Sequence, residues 1–197
     1  MSRIINRDAA NVLFNVATIL ELAEDNPYRV RAYRRAARLL LQNREDVRLK
    51  LTPEQELDLP GLGPRLRKKL GELLSTGHMR FYVELCADLP QEVQNLMQIP
   101  GVGPKTAYRL HEELGLSTPL DVYVAAQQGK IQELYGFGPR RERQLLEGAA
   151  QVLTGKAKTL APIPPAAEDE LPPADHPPLA IVKPQNGAIQ QRLPEAA

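Results

Sequence analysis

Three short phrases decide the fold: Leu59-Pro60-Gly61-Leu62-Gly63-Pro64-Arg65, Ile99-Pro100-Gly101-Val102-Gly103-Pro104-Lys105 and Tyr135-Gly136-Phe137-Gly138-Pro139-Arg140. Each contains Gly-apolar-Gly-Pro-basic. Glycine allows φ > 0 in a tight turn, where a side chain would clash, and both glycines of each pair are expected to use that freedom. The apolar residue, Leu62, Val102 or Phe137, is placed to plug the gap between the helices that the turn joins. The proline falls where a helix begins, a position at which its missing N–H costs nothing. Such a helix turns its first amides outward, and those amides suit an anion such as a phosphate. Gly61 to Gly101 is 40 residues and Gly101 to Gly136 is 35, so a helical unit is repeated.

Working outward, Asp8 is expected to cap a first helix to about Glu24, with Val12, Leu13, Val16, Ile19, Leu20 and Ala23 as its apolar face. Asn26-Pro27 opens a second helix over about 27–42. There Val30, Tyr33, Ala37, Leu40 and Leu41 make one stripe, and Arg31, Arg34, Arg35 and Arg38 another at i, i+3, i+4 and i+7. No glutamate sits four residues away to neutralise that row, and arginine's fork suits phosphate. Thr52-Pro53-Glu54-Gln55 carries a capping-box pattern that predicts a short helix. Helices are expected from Pro64 to about Thr76, over 79–88 and 90–98, from Pro104 to about Leu114, from Thr118 to about Gln128, and from Pro139 to about Leu153. Arg65, Arg67, Lys68 and Lys69 crowd the start of the first of these against the helix dipole, an arrangement that favours a bound anion. Lys105 and Arg109 follow the second turn, and Arg140 the third. No stretch alternates as a strand does, so the folded part is expected to be all-α.

The 197 residues carry a formal net charge of +1, which conceals an asymmetry. Residues 29–69 hold 12 basic and 5 acidic side chains, net +7, a local surface that points to a polyanion. Residues 157–197 hold 3 basic and 5 acidic side chains and nine of the eighteen prolines, and read as a disordered tail. Its one apolar island, Pro178–Pro184, reads as a linker segment, with a strand that engages a protein partner as the alternative. Units are expected at 1–78, 79–156 and 157–197. Cys86 is the single cysteine, and His78, His111 and His176 show no zinc spacing. Neither a membrane span nor a secretory leader is visible, so no membrane partner is expected and the location is read as cytoplasmic and nucleoid-associated.

Residues from about 6 to 155 resemble the N-terminal part of bacterial family X DNA polymerases, a small lyase-type helical domain followed by helix-hairpin-helix segments. The resemblance rests on Asn26 to Ala37, Leu59 to Gly63, Thr76-Gly77, Ile99 to Lys105 and Gly136-Phe137-Gly138. It implies sequence-independent DNA binding at gaps, nicks or single-strand/duplex junctions in repair. The contacts would come from Gly61, Gly63, Gly101, Gly103, Gly136 and Gly138 with the cations already named. It further implies that Arg29, Tyr33 and Arg65 approach a 5′-phosphate or abasic sugar, with Lys68 beside them. Lys69 falls where relatives form a Schiff base, and neighbouring cations would favour its neutral amine. A plain phosphate contact is the competing role for Lys69. The family's hairpins also hold Na⁺ or K⁺ through carbonyls, by motif those of Leu57, Leu59 and Leu62 and of Met97, Ile99 and Val102. A palm with three metal-binding aspartates is not recognisable in the tail, so polymerisation by these residues is not expected. A 5′-deoxyribose-phosphate lyase and a helical protein-interaction module without DNA remain the alternatives.

Overall fold

The computed structural model describes residues 5–156, and the tail expectations fall outside them. Helix α1 (Asn6–Leu22) is the centre of the first half. Its Ala9, Ala10, Leu13, Val16, Ala17, Ile19 and Leu20 are completely enclosed, and it packs on α2 (Pro27–Gln42), α3 (Pro64–Thr76), α4 (Arg80–Ala87) and α6 (Pro104–Leu114). The small faces of Ala9, Ala10 and Ala17 make room for that many neighbours. Helix α5 (Gln91–Met97) leads into the second turn and packs on α6, while α7 (Pro119–Gln127) packs on α8 (Pro139–Leu153). Among the described residues the fold is all-helical, with one isolated bridge between Leu51 and Leu57. None of these helices is long and apolar enough to cross a membrane.

Local chemistry explains most helix ends. Asn26 accepts from the Tyr28 amide and Pro27 follows it. Thr118 and Asp121 form a reciprocal capping box. Gly77 and Gly115 end α3 and α6 in the left-handed conformation, at φ +88° and +67°.

Several expectations are corrected. Helix α1 begins at Asn6 behind Ile5 and stops at Leu22, so Asp8 lies in its first turn rather than at its cap. Asn6 is committed elsewhere: its Nδ2 donates to the carbonyls of Asn43 and Glu45, and its Oδ1 accepts from the Val47 amide. Those bonds order a short 3₁₀ turn, Val47–Lys50, that periodicity did not signal. The Thr52 pattern makes no helix. Thr52 N donates to the Glu56 carbonyl, Gln55 takes φ +60°, and the chain doubles back. This turn lies on α3 at Gly71, where a Cβ would sit 1.7 Å from the Gln55 carbonyl oxygen.

Two outcomes follow. Gly71→Ala must displace backbone, so chemical denaturation should show a loss of about 3 kcal/mol or more. Asp121 accepts from the amide of Ser117, and also from that of Thr118, and these bonds hold its carboxyl below the usual range. A depressed folded value means the contribution is present above about pH 4 and lost as pH falls through that folded value. The melting point of Asp121→Asn should therefore lie below that of the parent chain at pH 7, and the gap should close in acid.

Candidate nucleic-acid interface

The three turns share one geometry. The Leu62, Val102 and Phe137 amides donate to the Leu59, Ile99 and Leu134 carbonyls three residues back, and Gly61, Gly101 and Gly136 take φ +87°, +81° and +82°. These are type II turns, which need a glycine-like residue at the third position and favour proline at the second. Tyr135 replaces that proline in the third turn without changing its form, and its side chain is almost wholly exposed. Leu62, Val102 and Phe137 are buried as plugs.

Only the first glycine of each pair has positive φ. Gly63, Gly103 and Gly138 are extended N-caps at φ −72°, −97° and −93°, conformations open to any residue. A Cβ at Gly63 or Gly138 would meet nothing within 4 Å, so neither backbone strain nor internal packing demands glycine there. The consequence of glycine is a bare helix start. No side chain caps α3, α6 or α8. The amides of Gly63 and Arg65, Gly103 and Lys105, and Gly138 and Arg140 make no hydrogen bond among the described residues. Among the described α-helices, side chains cap only α2 and α7, through Asn26 and Thr118; α1, α4 and α5 also begin without one, but from Ile5, Met79 and Pro90 rather than from glycine. Gly103 differs in that Asn15 Oδ1 lies 2.8 Å from its would-be Cβ, which places α1 against the second hairpin.

The α2 arginines and the first hairpin form one surface. An Arg35 guanidinium nitrogen lies 3.6 Å from the Cβ position of Gly61, beside the exposed Arg65 and Lys68 of α3. Arg38 is exposed, and Arg31 is exposed with its guanidinium over the Tyr28 ring at 5.6 Å. The row is less bare than its helix alone suggested. Arg34 pairs with Glu21 of α1 at 2.5 Å, and Arg29 pairs with Asp25 at 2.6 Å.

Behind this surface Phe81 gathers three of the residues singled out above. Lys69 Nζ stands 3.2 Å from its ring centroid, the Arg29 guanidinium lies 5.7 Å away, and Tyr33 stacks on it at 5.9 Å. Tyr33 is buried rather than surface-lying, and burial pushes its hydroxyl up to about 12 against the pull of nearby Arg29. Phe81 lies in the helix expected over 79–88. Nothing in its own sequence neighbourhood signals a platform, because Arg29, Tyr33 and Lys69 reach it from other helices.

In the second and third hairpins Lys105 and Arg140 are exposed and make no ion pair among the described residues. Arg109 is already engaged. It holds Glu113, donates to the Tyr135 carbonyl at 3.0 Å, and lies over Phe137 at 4.8 Å. It is therefore not a free strand grip. Arg141 Nη2 donates to the Gly101 carbonyl at 2.8 Å, a contact sequence reading missed. At the first hairpin the Leu62 carbonyl accepts from Arg67 Nε at 3.2 Å. A guanidinium thus stands on one of the three carbonyls expected to hold a monovalent cation and competes with such an ion there. The Met97, Ile99 and Val102 carbonyls have no such competitor.

Bare caps separate stability from binding. Gly63→Asp has room for its side chain and a suitable φ, and an acidic N-cap should stabilise α3 by a few tenths of a kcal/mol. The same carboxylate occupies the amides and repels anions. Thermal melts should rise while affinity for a polyanion falls.

Comparison with known proteins agrees with this geometry. The helix-hairpin-helix domain family matches residues 4–79, and the SAM-like helix-hairpin-helix tandem family matches residues 93–151. The chain is 30% identical over 157 residues to the DNA polymerase/3′-5′ exonuclease PolX of Bacillus subtilis (strain 168). That alignment covers 80% of the chain and 27% of the relative, so the chain spans about a quarter of the relative's length. Its hairpins are thus helix-hairpin-helix domains, and the chain resembles the N-terminal region of a family X DNA polymerase.

Proposed function

We propose that the chain binds DNA through its phosphates, without reading bases, at gaps, nicks or strand junctions during repair. The observation that carries this reading is the set of three glycine-capped helix starts. Each offers two unbonded amides, with an exposed Arg65, Lys105 or Arg140 as the second helical residue. Backbone amides and cations grip phosphate oxygens irrespective of sequence, and cation contacts release counterions. A helical protein-interaction module gives no reason to set glycine, proline and an exposed cation together at each of these starts. On this reading the described residues serve as the DNA-holding part, in the nucleoid, and nucleotide transfer is not their task. A monovalent cation would belong to the second hairpin, on the Met97, Ile99 and Val102 carbonyls.

The Phe81 cluster favours a second reading, a lyase on abasic or 5′-deoxyribose-phosphate ends. Arg29 would hold the phosphate while Lys69 Nζ attacks C1′ of the open sugar. Loss of water gives the imine, and removal of a C2′ proton expels the 3′ phosphate by β-elimination. Lys69 must first leave the Phe81 face, where its charged form is stabilised.

Charge reversal tests the main reading. Arg35→Glu and Lys105→Glu should each fold normally, weaken binding to a gapped duplex by about tenfold or more, and flatten the dependence of log K on log salt. Unchanged affinity in both would refute the surface. Borohydride trapping on a 5′-abasic end tests the second reading. A covalent adduct that disappears in Lys69→Ala supports the lyase, and intact binding without an adduct removes it.

A further inference from the structure

We propose that Arg109 and Arg141 are positioning residues that cross-tie the second and third hairpins into one two-point grip. Each guanidinium leaves the helix of its own hairpin and lands on a turn carbonyl of the other. From α6, which follows the second turn, Arg109 Nη2 reaches the Tyr135 carbonyl of the third at 3.0 Å. From α8, which follows the third turn, Arg141 Nη2 reaches the Gly101 carbonyl of the second at 2.8 Å. The residues joined are 26 and 40 apart in the chain. Charge-assisted bonds of this kind are stronger than neutral ones.

Each arm is held in place. Glu113 takes Arg109 through Nε at 2.6 Å and Nη2 at 3.2 Å, and the plug Phe137 lies beneath its guanidinium at 4.8 Å. Gln144 accepts from Arg141 Nη1 at 3.4 Å. An apolar contact joins the same elements: a Cβ on Gly148 of α8 would come within 2.9 Å of Ile99 Cγ2 and 3.2 Å of the Pro100 carbonyl oxygen. Helix α8 therefore rests on the second turn, and glycine is what permits the approach.

This divides the cations by task. Arg109 has Nε, Nη2 and its guanidinium face engaged, and its side chain is only 27% exposed. Lys105 and Arg140, at the bare starts of α6 and α8, are the residues turned to solvent. With the turns tied, the two starts keep a fixed separation, so a phosphate held at one raises the effective concentration of its neighbour at the other. The tie stands on the geometry alone, and its consequence for affinity rests on the DNA-binding reading above.

Two measurements on the full chain test it. Without DNA, Arg141→Gln should speed amide exchange about fivefold at Val102, in the second turn, and Arg109→Gln should do the same at Phe137, in the third. Amides of α1 and α2 should stay as they were. Unchanged exchange at both turn amides would overturn the tie, and either variant alone decides if the other fails to fold. On duplex DNA, Arg140→Ala should weaken binding about fivefold in the parent chain and less than twofold in the Arg141→Gln background, where the third hairpin no longer acts with the second. Equal penalties in both backgrounds would overturn the grip. A parent chain that binds no DNA would remove the DNA reading, while amide exchange would still decide the tie.

Discussion

The left-handed backbone at Gly61, Gly101 and Gly136 is the constraint on which the remainder depends. A residue near φ +85° in the third position of a type II turn reverses the chain within four residues. That reversal drops Leu62, Val102 or Phe137 into the core and sets the following helix running with its first amides turned out. A side chain at any of these glycines would be strained whatever space surrounds it. Helices α3, α6 and α8 all begin from such a turn, so the interface and the core share one cause.

The second glycine of each pair has another role. It is conformationally unnecessary, yet it leaves helix starts uncapped where a serine or aspartate would stabilise them. Among the described α-helices, side chains cap only α2 and α7, and α1, α4 and α5 are uncapped as well, but α3, α6 and α8 alone begin from a glycine that a proline and a cation follow. A glycine start repeated at three points of similar geometry, each followed by a cation, suits an anionic ligand that supplies the missing acceptor.

Much of the fold was legible because proline and glycine mark helix ends directly. The limits of α2, α3, α6 and α8 follow from Pro27, Pro64, Pro104 and Pro139 and, for two of them, from Gly77 and Gly115. The 52–56 turn was not legible, since a Thr-Pro-Glu-Gln run serves a helix start equally well. Its real form is set by Gly71, which admits the Gln55 carbonyl from another element. The cations divide in the same way. Their density could be read from the sequence, but which of them are engaged could not. Glu21 takes Arg34, Phe81 draws in Arg29 and Lys69, and the third turn claims Arg109, all through tertiary contacts between separate elements.

The most direct test is a titration of the isotopically labelled chain with a gapped DNA duplex, followed by amide chemical shifts. The account predicts that the largest changes fall on Gly63, Arg65, Gly103, Lys105, Gly138 and Arg140, and that they fade as salt is raised. Shifts that spare these amides while others respond, or that persist unchanged at high salt, would contradict it.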